Sequence, residues 1–473
     1  MHNNHFEKHL KRNYHELLGG MIQLTIFHDL RKDPCVHRLE NILRMLTQGD
    51  FSKWDTAARW EAADLYYGFA AELLKSMENS PSFHGGFWKN YFLDRVLEAD
   101  NVFSRAAEKK LHINSLVLPQ LKKEMQALER LYRLNLADME NLILGEETST
   151  DSILSGVLLK PLSPAGKQNN AAEVFPASYH RDKSALKQLF DQETRWGDLV
   201  FKLEGFWQKW GAGNMGRYWV FKWDGEILEG IERPDPIRLN QLVGMQTPIK
   251  QVYDNTAQFV KGYSANNILL YGDRGTGKSS TVKGLIHEFG EDGLRLINVS
   301  MNGLIKLPNL LRSLGRRPQR FIIFIDDLSF EEYETQYKEL KAVLEGGVEV
   351  QPKNVLIYAT SNRRHLVKEY HNDRQMYAFD NNGEEIRIQD TLQEKLSLSD
   401  RFGVTVMFAS PVQKEYLNIV RGLAADRGIT MEQDLLDKLA LQWELMQNSR
   451  SGRTARQFID HLTGKLAMEK KNN

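Results

Sequence analysis

The chain has 473 residues, 41% of them hydrophobic, which is enough for two or three domains with their own cores. Its 62 Lys and Arg offset its 62 Asp and Glu, so no overall field marks it as a binder of nucleic acid or of a membrane surface. A single cysteine, Cys35, rules out an intramolecular disulfide framework and a cysteine-rich zinc site, and fits a reducing cytoplasm.

No apolar run approaches the ~18 residues of a membrane span, and the opening MHNNHFEKHLKRNYHELL lacks the apolar core of a signal peptide. Residues 1–145 read as a helical region. Within it Leu121, Met125, Leu128 and Tyr132 recur at helical spacing, which predicts a stripe buried in a core. His5 and His9 stand four apart near the start, flanked by His2 and His15, but no acid or cysteine constellation accompanies them. A solvated chain end accounts for them better than a metal.

Residues 146–235 read as a linker, a helical segment and a hairpin. The runs GEETSTDS and PLSPAGKQNN predict loops, and Ser184 to Trp210 a helical segment. Arg217 to Trp223 then meets Asp224-Gly225 and Glu226-Ile227-Leu228, which predicts a hairpin closed by a tight primed turn. Its aromatics are expected to pack on the following core rather than to stack on bases. Arg233-Pro234-Asp235-Pro236 ends the hairpin, because proline bars regular structure.

Residues 236–410 carry the chemistry. The apolar run Asn267 to Tyr271 leads into Gly272-Asp273-Arg274-Gly275-Thr276-Gly277-Lys278-Ser279-Ser280, and a helix-like segment, Thr281 to Phe289, follows. Strand, glycine loop and helix fit G-x-x-x-x-G-K-[ST], whose backbone N–H groups wrap phosphates while the helix N-terminus faces them. In that motif Lys278 reaches the β and γ phosphates and Ser279 reaches Mg²⁺. Further on, Phe321 to Ile325 reads as a buried parallel strand ending in Asp326-Asp327. Acids at a strand's carboxyl end stand where open α/β sheets keep their chemistry. Asp326 suits the Mg²⁺ shell, and Asp327 suits orienting or deprotonating a water. A third run, Val355 to Thr360, ends in Ser361-Asn362, whose amide could touch both the γ-phosphate and the water. The helix Glu331 to Glu345 is expected between these strands, and a polar insertion, HNDRQMYAFDNNGEEIRIQD, after them. The basic pairs Arg316-Arg317 and Arg363-Arg364 read as solvated faces.

Residues 411–473 predict a small helical lid, with helices at Glu415 to Arg427, Glu432 to Gln447 and Ala455 to Lys470.

A phosphate loop, an acidic strand end, a strand-terminal Asn and a later Arg-Phe-Gly together resemble the AAA+ ATPases. More narrowly, FIIFIDDLSFEE, LKAVLEGG, NVLIYATSNRRHL and LSLSDRFG resemble a bacterial ATP-binding AAA+ family catalogued only as a domain of unknown function. The resemblance covers roughly the C-terminal half. It implies an α/β P-loop core of parallel strands and flanking helices, a C-terminal helical lid and a mainly helical N-terminal region. It also implies ATP and Mg²⁺ as ligands, hydrolysis, a homo-oligomer, and an unidentified macromolecular client, protein or nucleic acid. Arg401 resembles the arginine finger that reaches a neighbouring subunit's γ-phosphate, Arg456 the lid arginine that senses nucleotide in cis, with Arg453 less favoured, and Val243-Gly244 the segment beside adenine. Two departures limit the resemblance. Asp327 stands where the superfamily usually has Glu and falls short by about 1.5 Å, which implies slow turnover. The stretch Ser300 to Leu304 lacks the aromatic with which unfolding machines grip polypeptide. A nucleic-acid-associated loader and a nucleotide-gated binding module with little turnover are the alternatives.

Overall fold

The computed structural model describes residues 2–48, 54–76, 86–111, 116–144, 177–328, 335–345, 351–362 and 401–472. They divide into two compact units that meet in sequence at Arg217 and Tyr218. The expected loops of 146–170, the polar insertion after Tyr370 and the pair Arg363-Arg364 lie outside the described residues.

The first unit is helical: α1 (His2–Ile22), α2 (Pro34–Gln48), α3 (Thr56–Lys75), α4 (Phe87–Leu97), α5 (Val102–Glu108), α6 (Leu118–Tyr132), α7 (Leu136–Leu144), α8 (Ala177–Gln192), α9 (Val200–Trp210) and the short α10 (Asn214–Arg217). Leu121, Met125, Leu128 and Tyr132 on α6 are completely buried, as their spacing predicts. The segment read as helical from Ser184 to Trp210 is divided between two helices, α8 and α9. Trp196 breaks it in a 3-10 turn, where its ring packs on Tyr132 and its indole N–H donates to the Phe190 carbonyl at 2.8 Å. Burying that ring outweighs continuing the helix. Where α8 meets α4, the buried Lys187 ammonium pairs with Asp94 at 2.7 Å and donates to Asn90 Oδ1 at 2.7 Å, so its charge is compensated.

The described residues of the second unit form one seven-stranded sheet. Its strands are β1 (Val220–Trp223), β2 (Leu228–Gly230), β3 (Ile268–Gly272), β4 (Leu294–Val299), β5 (Arg320–Ile325), β6 (Val355–Ser361) and β7 (Val404–Phe408), in the order β2-β1-β4-β5-β6-β3-β7. Among these described strands only the β1–β2 pair is antiparallel. The apolar runs read as strands are β3, β5 and β6, the interior of a parallel sheet buried on both faces. Helices α11 (Gln246–Val260), α12 (Lys278–Phe289), α13 (Leu307–Leu314) and α14 (Thr335–Leu344) connect or flank them. The expected helix from Glu331 is described only from Thr335.

The hairpin joins this sheet, with β1 alongside β4 in parallel. Trp219, Phe221 and Trp223 are buried, in accord with packing on the core. Its turn is longer than the two residues Asp-Gly suggests, because Trp223 pairs with Leu228. The Asp224 carboxylate accepts from the N–H groups of Glu226 and Ile227 at 2.9 and 3.1 Å, and this local side-chain bond holds the longer loop. The hairpin also braces the segment after β4: Trp223 donates to the Gly303 carbonyl at 3.2 Å, and Lys306 pairs with Glu226 at 3.1 Å.

After β7 come α15 (Gln413–Asp426), α16 (Gln433–Gln447) and α17 (Gly452–Asn472), within two or three residues of the expected lid helices. Tyr416, Val420, Leu436, Phe458 and Ile459 form their own small core. The unit is therefore the expected α/β P-loop core with a helical lid, and the first unit is the mainly helical region.

Candidate functional site

The phosphate loop leaves β3 at Gly272, where φ is +139° and a Cβ would lie 2.0 Å from the Phe408 carbonyl oxygen of β7. Only glycine fits so close an approach between neighbouring strands. Gly277, at φ +98°, turns the chain into α12, and nothing lies within 4 Å of where its Cβ would be. The N-terminus of α12 thus opens onto free space with its first N–H groups unspent, an arrangement suited to an anion. Lys278 Nζ donates to the carbonyls of Gly272 and Asp273, each at 2.7 Å, and to Asn362 Oδ1 at 3.2 Å. Burial pushes its pKa below the ordinary lysine value, and Asp273, Asp327 and Asp326 offset this only in part.

The two acids are held by their neighbours. Asp326 Oδ1 accepts from the hydroxyls of Ser279 and Thr360, both at 2.6 Å. Asp327 sits in the left-handed region at φ +55°, donates its N–H to Thr360 Oγ1 at 2.9 Å, and accepts from Asn362 Nδ2 at 2.6 Å. Because β6 lies between β5 and β3, Asn362, the residue just after it, bridges the acid on one side and the lysine on the other. A line of hydrogen bonds therefore runs Lys278–Asn362–Asp327 across three strand ends.

A cavity of about 640 Å³ opens over this line. Arg274 to Ser280 line it, as do Asp326, Asp327, Asn362, Val243 and Arg456. Gly272 and Asp273 lie at the base of the loop, outside the lining, and Ser410 Oγ donates to Asp273 Oδ2 at 2.5 Å. Val243 packs on the lid core, and Gly244 turns beside it at φ +89°. Ile249, Ile419 and Leu423 give the same end of the cavity an apolar wall. Arg453 also lines the cavity; its N–H donates to the Gly275 carbonyl at 3.3 Å, and its charge helps to depress Lys278.

Arg401 stands elsewhere. It precedes β7, which runs parallel to β3 with Ile268 opposite Val404 and Gly272 opposite Phe408. The start of β7 is therefore the end of the sheet away from the phosphate loop, about 17 Å along a five-residue strand. There Arg401 pairs with Glu345 at 2.9 Å.

The sequence reading missed Thr360 as the hydroxyl that orients both acids, and the wall of Ile249, Ile419 and Leu423. A threonine ending an apolar strand has no signature of its own, and the wall is assembled from segments far apart in sequence.

The donors near Ser279 are hard oxygens with room beside them, which suits Mg²⁺. Among the described residues no group of three His, Cys, Asp or Glu could hold a metal alone, so an ion here would take phosphate oxygens and water as further ligands.

A phosphate loop between a central parallel strand and its helix, acids on the strand beyond the next, and a three-helix lid define an AAA+ P-loop protein with a nucleotide-binding fold. The family described as "Protein of unknown function (DUF815)" matches residues 216–466, more than half of the chain, and the chain belongs to that family. No curated protein matches it. Among solved structures it is similar to the RuvB Holliday junction branch migration motor of Thermotoga maritima, with 15% identity and a TM-score of 0.29 over 48% of this chain and 72% of that one. Two variants of that protein align over the same shares, with TM-scores of 0.30 and identities of 15% and 16%.

Proposed function

We propose that the protein binds ATP with Mg²⁺ in this cavity and hydrolyses it, as a homo-oligomer that remodels or loads a macromolecular client. The hydrogen-bonded line Lys278–Asn362–Asp327, with Ser279 and Asp326 beside it, carries this reading. Lys278 and the N–H groups from Arg274 to Ser280 bind the β and γ phosphates. Asp327 accepts a proton from the water that attacks the γ-phosphorus, and Asn362 holds that water and the phosphate in register. The departing group is ADP. Ser279 and Asp326 would hold Mg²⁺, which would supply positive charge to offset that of the phosphates. Arg456 and Arg453 reach the phosphates from the lid, and the base lies against Val243. Arg401 serves a neighbouring subunit. A single buried cysteine supports a cytoplasmic setting.

The test separates binding from chemistry. Lys278→Ala loses ATP affinity in calorimetry, whereas Asp327→Asn keeps it and traps ATP unhydrolysed, since one change removes a phosphate contact and the other only the base. Equal ATP affinity in Lys278→Ala and wild type would sink the assignment. One observation favours a second reading: the Asp327 carboxylate is already engaged by Asn362. If wild type and Asp327→Asn turn over ATP at the same low rate, the protein is a nucleotide-gated binding module.

A further inference from the structure

At the end of the second unit's sheet opposite the phosphate loop, three turns bring cations together. The segment RSLGRRPQR, residues 312–320, closes α13 and enters β5 with four arginines and no acid. Lys353 lies in the turn entering β6, and Lys261-Gly262-Tyr263 leaves α11. Asn354 ties the first two turns, its Nδ2 donating to the carbonyls of Leu314, Arg317 and Gln319 at 3.0, 2.9 and 3.1 Å. Arg320 ties in the third: Nη1 donates to the Lys353 carbonyl at 3.1 Å, and the guanidinium stacks over the Phe259 ring of α11 at 5.3 Å. Backbone and the half-buried Asn354 amide thus hold a rim on which Lys261, Arg312, Arg316 and Lys353 are exposed, with Arg317 and Arg320 half-buried between them. Beside Lys261 the ring of Tyr263 is 69% exposed. Glu291 and Asp292, entering β4, bound the rim on one side.

The chain as a whole is neutral, so this is a local field. We propose that the rim binds the phosphate backbone of a nucleic-acid strand, with Tyr263 stacking on a base. Clustered cations bind phosphates by releasing condensed counterions, and guanidiniums grip phosphate oxygens in pairs. An exposed tyrosine next to such cations is a platform for an unstacked base. An acidic protein would use the charges and have no use for the ring. The inference deepens the functional reading by naming the client's chemistry. It is tested without nucleotide, so its failure leaves ATP binding and hydrolysis standing.

Anisotropy of labelled single- and double-stranded oligonucleotides of mixed sequence, titrated with the full chain across a salt series, reads the effect. Lys261→Glu/Arg316→Glu/Lys353→Glu is expected to bind about ten-fold or more weakly, with a salt slope on single strands flatter by about 0.7 per lost contact. Tyr263→Ala weakens single-strand binding about ten-fold, and Tyr263→Phe restores it. Melting temperature and ATP affinity stay at the wild-type level in all of them. Wild-type affinity in the triple variant overturns the proposal, as does absence of binding at low salt. Polyglutamate that displaces the oligonucleotide at equal charge assigns the rim to an acidic protein. A triple variant altered only in self-association, seen by sedimentation, assigns it to a subunit contact.

Discussion

At the residue scale, Asp327 has a backbone reason for being short. Its φ of +55° lies where β-carbon residues are strained by about 1–2 kcal/mol, and where Asp and Asn are tolerated better than longer side chains. Lengthening the acid therefore disturbs the turn that carries it. We expect Asp327→Glu to lower both turnover and melting temperature. Asp327→Gly relieves the strain but loses the bond to Asn362, worth about 1 kcal/mol, so it should melt near wild type while turnover disappears. A melting temperature several degrees below wild type for the glycine variant would show that the left-handed turn is not the constraint.

Lys278 supplies a second residue-scale prediction. With its folded pKa depressed by burial, the folded chain binds fewer protons than the unfolded one between that value and the ordinary lysine value. The charged lysine therefore costs stability below this window, and the cost fades as pH rises through it. ATP phosphates favour the charged form, so binding should take up protons within the window and weaken as pH rises. Calorimetry in two buffers of different ionisation enthalpy measures that uptake. Persistence of the uptake in Lys278→Ala would assign it to another group.

At the element scale, the lid meets the phosphate loop through the first turn of α17. Arg453 and Arg456 stand three apart and share a face of that helix. Sequence resemblance favours Arg456, yet both arginines line the cavity, and the backbone N–H of Arg453 donates to the Gly275 carbonyl of the loop, which anchors that residue at the cavity wall. A charged hydrogen bond lost from the γ-phosphate is worth about 1.5–3 kcal/mol, ten-fold or more in Kd. Arg453→Ala should thus weaken ATP by at least that factor and ADP by less. Unchanged ATP affinity would return the role to Arg456 alone.

At the scale of the whole molecule, sheet direction bears on Arg401. A side chain at the start of β7 cannot span a parallel strand to reach its own phosphate loop, so its use in catalysis requires a second subunit. Arg401→Ala should bind ATP nearly as wild type and hydrolyse it about a thousand-fold more slowly. Mixed with Lys278→Ala it should regain activity, because each partner supplies what the other lacks. Light scattering checks that subunits exchange. A mixture that exchanges and stays inactive, or a strict monomer with full turnover, would exclude the finger in trans.

Much of this was legible in the sequence because it is local. The glycine loop, the acids after Ile325, the amide after Ser361 and the lid helices each follow from a short run of residues and its period, and each is found where that run predicts. Burial of Leu121 to Tyr132 follows in the same way. Other features depend on strand order and direction, which no short window contains. Only the placing of β6 between β5 and β3 lets Asn362 join Lys278 to Asp327. The left-handed turn at Asp327, the hydroxyl of Thr360 under both acids, the longer hairpin loop and the basic rim tied by Asn354 were likewise decided by the tertiary structure. The physical reason is common to all: a side chain's own sequence sets what it can bond, but pairing of distant strands sets what it meets.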